Sequence, residues 1–402
     1  MPKAIQKPKT ELGKKLQGKL KPKQALWQGP EDPGPMGGIT QSILGRYPGG
    51  CPERFRLKYV EGWERKRVFD HKIEYGHMWH CCEEELAHGG SISSCLGELK
   101  VYVKGLMDKY RFQQEEINHW YQTCMVQFPI YVEHWKKQPD VLKRTPLMQE
   151  QVFHVPYKLP SGRAVYLRGK FDSVDLIGGK GSGIYIQENK TKGDIDFEQM
   201  KRNLTFEIQT MFYVCALQAM KDDREPPTAH WQEQPIKGVR YNVIRRPFSG
   251  GKGSIRKHKA KTTKKDGNIP EESDESYYGR LRDIIMEPPE QGQDNYWFAR
   301  WKVEISAADI QAFKTQFLDP CLENLCNDYG WWKVAYETGL NAFDNKSRHL
   351  HEVFGPRFNY HWRLPFGVYN QLMETGSTDM DELLNGNTVG FQRSTTLFEE
   401  LA

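Results

Sequence analysis

The period of apolar positions changes along the chain, and each change marks an element. Residues 68–90, VFDHKIEYGHMWHCCEEELAHGG, predict an amphipathic helix closed by Gly89 and Gly90. Between residues 97 and 137, Leu106, Tyr110, Ile117, Trp120, Tyr121, Cys124 and Phe128 recur at helical spacing and predict one or two long helices. The period then drops to two. Gln149–Leu159 and Ala164–Ile177 are rich in Val, Phe, Tyr and Ile and predict strands, with Ser161 and Gly162 at the turn between them. A second glycine-dense turn, residues 178–183, leads into the strand IYIQENK. Asp196–Met220 returns to helix, with Leu204, Ile208, Met211, Phe212, Cys215 and Ala219 on its apolar side, and VRYNVIRRP is one more strand, ended by Pro247.

This order of helix, strand hairpin, helix and strand predicts an α/β fold whose core wears helical additions. Residues 39–247 form that core, with a helical part at its N-terminal side. Residues 1–38 predict a flexible basic tail, because lysines alternate there with Pro and Gly. Such a tail is either a solvated arm or one that seeks phosphates. Residues 248–276 carry almost no large apolar residue, are basic first and acidic after, and predict a charged mobile insertion. Residues 277–402 mix helical and irregular signals with many aromatics and predict an extension packed on the core.

Composition narrows the class. The 402 residues are long enough for one large core or two modest ones. Mean hydropathy is −0.74, and no stretch reaches the roughly 18 consecutive apolar residues of a membrane span. The lysine-rich start has no apolar segment behind it, so a cytoplasmic protein is expected, in a bacterial cell or a phage-infected host. The net charge of +5 suits an anionic partner without requiring one. The eight cysteines contain no Cys-x-x-Cys pair, which argues against a zinc ribbon or a thioredoxin-type centre. Cys81 and Cys82 stand beside His77 and His80, but adjacent helical cysteines diverge by about 100°, which spoils a tetrahedral zinc cage.

The hairpin carries the candidate chemistry. If its strands pair symmetrically about the glycine turn, Asp172 and Glu188 lie opposite, with Cβ atoms about 4.5–5.5 Å apart. That span lets two carboxylates share one or two hard cations. Lys190, two residues after Glu188, points to the same face. Two acids, a divalent ion and an ammonium suit phosphodiester cleavage, because the ion neutralises phosphate charge and activates water while the lysine orients that water or offsets charge. The Glu-x-Lys tripeptide alone reads equally well as a surface ion pair. On the preceding helix Gly76, His80 and Glu84 share a face, where the glycine would admit a neighbouring backbone and the imidazole could join a metal shell. Gln209 and Tyr213 share a face of the following helix and could contact a phosphate or a base. Arg245, Arg246 and Lys257 are candidate phosphate grips, or belong to a solvated loop. Tyr296, Trp297, Phe298 and Trp301 read as core aromatics before they read as base-stacking ones.

Taken in order, CPERFRL at 51–57, Gly76-x-x-x-His80, Gly169-Lys170-Phe171-Asp172, Glu188-Asn189-Lys190-Thr191 and Gln209-x-x-x-Tyr213 resemble the RecB-like branch of the PD-(D/E)XK nucleases. That branch includes the nuclease domain of RecB, CRISPR-associated RecB-like exonucleases and many phage exonucleases. The resemblance runs from Ser42 to Pro247, about half the chain. It implies a restriction-endonuclease-like core, a mixed central sheet flanked by helices. It further implies His80, Asp172, Glu188 and the backbone carbonyl of Asn189 as ligands to one or two Mg²⁺ or Mn²⁺ ions, and Lys190 as the catalytic lysine. Gln209 and Tyr213 would support the site and the DNA strand, with Thr191 and Glu84 as lesser members. The implied activity is a DNA exonuclease of recombination, repair or phage DNA processing, whose partner besides DNA could be a single-strand annealing or recombination protein. A structure-specific or restriction-type endonuclease, and an inactive nucleic-acid-binding subunit of the same fold, are the alternatives. Many relatives hold an iron–sulfur cluster between a cysteine of the Cys-Pro element and three near the C-terminus. Here Cys51 is joined only by Cys321 and Cys326 in the C-terminal region, so no cluster is expected.

Overall fold

A computed structural model describes residues 25–47, 55–65, 68–179, 182–205, 207–224, 228–247, 255–263, 267–287, 296–338, 391–398 and 401. In chain order we label α1 (Gln41–Arg46), β1 (Trp63–Arg65), α2 (His71–Ala87), α3 (Ile92–Lys109), α4 (Gln114–Trp135), β2 (Arg144–Lys158), β3 (Ala164–Ile177) and β4 (Gly183–Lys192). Then follow α5 (Phe197–Leu204), α6 (Ile208–Asp222), β5 (Ile236–Arg245), β6 (Lys261–Thr263), β7 (Gly267–Ile269), α7 (Asp274–Met286), β8 (Phe298–Glu304), α8 (Ala307–Phe313), α9 (Asp319–Thr338) and β9 (Phe391–Arg393). No helix among the described residues is long and apolar enough to cross a membrane.

The chain forms two compact units. One comprises Arg67–Tyr157 and Leu167–Leu318, the other Met1–Lys66, Lys158–Tyr166 and Asp319–Ala402. The first is built on a five-stranded sheet of order β2-β3-β4-β5-β8. β3 and β4 are antiparallel, β4 and β5 parallel, and β5 and β8 antiparallel, so the sheet is mixed. The parallel pair needs a crossover, and α5 and α6 supply it. The expected single helix over 196–220 is thus two helices, separated at residues 205–207.

Residues 68–90 fold as predicted. Asp70 caps α2 by accepting from the Lys72 N–H, and Gly89 closes it with φ +88°, the left-handed conformation that glycine adopts without strain. The helical spacing over 97–137 resolves into α3 and α4, whose apolar stripes meet α2 and α7. Tyr75, Met78, Trp79, Leu99, Val103, Ile117, Trp120, Phe128, Tyr131, Tyr277 and Leu281 fill that core, joined by Ile244 and Phe298 from the sheet. Trp79 meets Phe128 and Tyr131 edge to face at 5.3 and 5.1 Å. α6 is buried almost all round from Thr210 to Leu217, because it lies between β5 and α8.

Several expected boundaries need correction. β8 pairs along β5 from Gly238↔Glu304 to Ile244↔Phe298, so the sheet extends past Pro247 into the segment assigned to a C-terminal extension. Hydrophobic runs of this length are ambiguous, and the aromatics of FARWKVE hid the strand's alternation. Trp297 and Phe298 are core residues, as the packing reading had it. The charged insertion holds a short hairpin, β6 with β7, and Ile255 in it is buried. In the other unit Ala25 and Trp27 are buried, so the expected tail does not reach residue 38. Trp27 Nε1 donates to the Gly38 carbonyl at 2.8 Å, and its ring sits edge-on to Tyr329 and Phe55. Tyr47 and Trp332 complete this aromatic cluster around Phe55, while β1 pairs with β9. Residues 1–24, Cys51 and residues 345–365 lie outside the described residues.

The closeness of β5 and β8 rests on one glycine. Gly238 has φ +148°, and a Cβ there would stand 1.9 Å from the Val303 carbonyl oxygen. The three nearest atoms, Val303 O and C and Ile305 N, are all backbone, so no side chain can move aside. Gly238→Ala is expected to cost more than about 3 kcal/mol, read as a lowered midpoint in urea; an unchanged midpoint would contradict this packing.

Candidate active site

β3 and β4 bring the acids together. Their register runs from Ile177↔Gly183 to Ser173↔Gln187, and Asp172 and Glu188 are the next residue on each strand. Asp172 Oδ2 accepts the Asn189 N–H at 2.9 Å. On β4, Lys190 Nζ lies 3.1 Å from Glu188 Oε2. α6 begins beside this pair. Lys190 Nζ donates to Gln209 Oε1 at 2.8 Å, and Gln209 Nε2 donates to Glu188 Oε2 at 3.1 Å. Gln209 thereby fixes both the acid and the ammonium. Glu207, just before α6, stands 3.8 Å from Lys190.

Tyr213, one turn beyond Gln209, packs edge-on to Phe153 at 5.4 Å and Phe171 at 5.6 Å. Gly169 makes room for these rings, since a Cβ there would come within 2.5 Å of Phe153 and 3.0 Å of Tyr213. The glycine of Gly169-Lys170-Phe171-Asp172 therefore serves packing under the acid. Gly76 differs from expectation. Among the described residues a Cβ there would meet only the Thr191 hydroxyl, at an ordinary 3.6 Å, so close backbone approach does not explain it.

α2 delivers His80, whose Nδ1 lies 3.3 Å from Glu150 Oε1 and 3.6 Å from Asp172 Oδ1. Ligand-capable atoms of His80, Glu150 and Asp172 all fall within 4.8 Å of one another. Lys170 Nζ holds the second Glu150 oxygen at 2.6 Å. Glu150 is the functional residue that reading the sequence misses. It sits on β2 with φ +45°, a left-handed backbone rare for a side-chain-bearing residue, and that local twist redirects its carboxylate. Nothing in the polar run Gln149-Glu150-Gln151 signals such a twist.

Burial sets the electrostatics. It pushes the Asp172 carboxyl up, against the pull of His80. It also pushes Glu188 up to about 7, with Lys190 opposing and Asp172 adding to the rise. Burial disfavours charge on His80 and Lys190 too, but the surrounding acids outweigh it. Asp172 and Glu150 lift His80 to about 9, and Glu188, Glu207 and Asp172 raise Lys190, which stays an ammonium. Burial, then Glu188 and Asp172, keep Tyr213 a neutral phenol.

Other expected site residues are placed differently. Arg245 is buried, donates to the Gly193 carbonyl at 3.2 Å and stacks on Tyr296, with its guanidinium carbon 3.7 Å from the ring centroid. Arg246 is buried as well and donates to the Thr191 carbonyl and hydroxyl at 2.8 and 3.1 Å. Both guanidiniums tie the end of β5 to the end of β4 instead of reaching out to phosphates, Arg245 through Gly193 and Arg246 through Thr191. Lys257 pairs with Asp274 at 2.9 Å, at the start of α7. Glu84 does not join the cluster; its neighbour Glu83 turns inward, accepting from Gln187 Nε2 at 3.4 Å. A helix advances about 100° per residue, so a one-residue difference exchanges the outward acid for the inward one.

A mixed sheet with two opposed carboxylates and a lysine two residues after the second is the framework of a phosphodiester-cleaving nuclease. The family model of the PD-(D/E)XK nuclease superfamily matches residues 47–319, and the chain belongs to that superfamily. The match includes β8 and ends at the close of the sheet-bearing unit. A search of curated proteins found no match to the chain. Membership makes the protein a metal-dependent nuclease, a hydrolase whose substrate is nucleic acid. The residues present fit a divalent metal. Glu188 Oε1 is buried without a hydrogen-bond partner, and Asp172, whose charge acts on Glu188, converges with Glu150 and the His80 imidazole. Hard oxygen donors of this kind, unfavourable as crowded anions, become favourable around a divalent cation.

Proposed function

We propose that the chain is a Mg²⁺- or Mn²⁺-dependent exodeoxyribonuclease, similar to the RecB-like branch, that trims DNA in recombination, repair or phage DNA processing in a bacterial or phage-infected cytoplasm. The observation that carries the reading is the convergence of Asp172, Glu188 and Lys190 on one side of the β3–β4 ribbon, with His80 and Glu150 beside Asp172. His80, Glu150, Asp172, Glu188 and the Asn189 carbonyl would hold one or two ions. A bound ion supplies charge neutralisation at the phosphate and a more acidic water.

The protein's own groups do the rest. Lys190 presents an ammonium, held by Gln209 and Glu188, to charge that grows on phosphate oxygens during bond breaking. Gln209 fixes the Lys190–Glu188 ion pair in place, because its amide bonds to both partners. Tyr213, wedged against Phe153 and Phe171, fixes the height of α6 over the strands. Lys170 holds Glu150 toward His80. The branch resemblance favours action from DNA ends. With Mg²⁺ or Mn²⁺, linear duplex or single strand is expected to be degraded to completion, while covalently closed circles of the same sequence stay intact. Cleavage of closed circles at the same rate would replace the exonuclease reading with an endonuclease one.

A further inference from the structure

The face of the sheet opposite Glu188 and Lys190 carries a polar layer that the proposed chemistry does not touch. Side chains alternate along β4, so Gln187 and Asn189 project to that other face. Parallel pairing sets Asn189 beside Asn242 of β5, which is fully buried. Asn242 Nδ2 donates to Asn189 Oδ1 at 2.9 Å and to the Tyr131 hydroxyl at 2.6 Å. Gln187 Nε2 donates to the same Asn189 oxygen at 3.2 Å. Gln187 Oε1 in turn accepts from Arg240, which pairs with buried Asp175 at 2.9 Å. The layer also reaches α2, because Gln187 Nε2 lies 3.4 Å from Glu83, three residues beyond His80.

An apolar underside would fill this space at less desolvation cost, so amides bonded to one another across two strands argue for positional control. Its effect on the site is direct. With two donors on its side-chain oxygen, Asn189 cannot rotate about its strand. Its backbone N–H is the group that holds Asp172 Oδ2, and its carbonyl is among the metal-facing oxygens of the reading above.

We propose that Asn242 is a positioning residue for the metal site, acting through the Asn189 side chain to fix the backbone that orients Asp172 and presents a carbonyl. The inference rests on the metal-dependent nuclease reading. Gln187 acts in the same sense from within β4. Groups that orient metal ligands in this way typically contribute 10–100-fold in metal affinity.

The test is a calorimetric titration of Mn²⁺ into the full-length, DNA-free protein. Asn242→Asp keeps the shape but loses the donor to Asn189. Its added negative charge would by itself favour a cation, so weaker binding reports lost geometry. Gln187→Glu removes the second donor from another strand and carries the test if Asn242→Asp does not fold. Tyr185→Phe deletes the buried hydroxyl's bond to Glu304 at 2.8 Å on the same strand and controls for general destabilisation. The two amide variants are expected to bind Mn²⁺ at least about tenfold more weakly, with Tyr185→Phe within about twofold of the parent. Folded amide variants that bind Mn²⁺ as tightly as the parent would overturn the proposal. A parent protein that binds no Mn²⁺ would instead remove the metal-site reading itself.

Discussion

Lys190→Ala is expected to slow single-turnover cleavage by about 10²–10³-fold while DNA binding changes only a few-fold. The ammonium contacts Glu188, Gln209 and Glu207, all within the protein, so its loss leaves the outer surface unchanged. What disappears is a positive charge preorganised where charge develops, in a site too buried for water to substitute. Lys190→Arg is expected to restore little, because a planar guanidinium cannot occupy the point position between Gln209 and Glu188. A rapid-quench measurement on end-labelled DNA separates the steps. Full single-turnover activity in Lys190→Ala would end the assignment of this residue.

Mn²⁺ or Mg²⁺ is expected to raise thermal stability before any DNA is added. Asp172 feels the like charge of Glu150, and Glu188 that of Asp172, in a half-buried place beside His80, and a divalent ion relieves this crowding only in the folded state. At a concentration near one hundred times the dissociation constant, the gain is about 2.7 kcal/mol. For a unit of this size that corresponds to roughly 5–10 °C in the melting temperature. Asp172→Asn is expected to abolish most of the rise, since Asp172 faces both His80 and Glu188. The metal-free melting temperature of the variant should stay close to the parent's or exceed it, because one buried charge is gone. A melting curve indifferent to Mn²⁺ in the parent, or equally responsive in Asp172→Asn, would contradict the ligand assignment.

The candidate site was legible where local pattern dictates geometry. A glycine turn between two alternating runs fixes register, so the opposition of Asp172 and Glu188 follows from counting residues. Helical spacing likewise places Gln209 and Tyr213 on one face, and His80 on the face of α2 that meets Asp172. Legibility ended where tertiary structure decides. Glu150 reaches the site through a left-handed backbone that no residue type announces. Arg245 and Arg246 looked like phosphate grips because charged residues at a strand end are usually solvated. Aromatic cover from Tyr296 and Trp297 and the carbonyls of Thr191 and Gly193 draw them inward instead. Of the neighbouring acids Glu83 and Glu84 the buried one is Glu83, and only the rotation of the helix in its packed setting separates them.

β8 has a practical meaning for how little of this chain could work alone. It enters the sheet roughly fifty residues after β5 ends, yet it shields the whole outer row of β5 amides and carbonyls. A fragment trimmed at Pro247 would leave that row bare and sticky, inviting strand-to-strand aggregation between molecules. The smallest autonomous unit must therefore run past Glu304, and it keeps the intervening α7, whose Tyr277 and Leu281 fill the helical core.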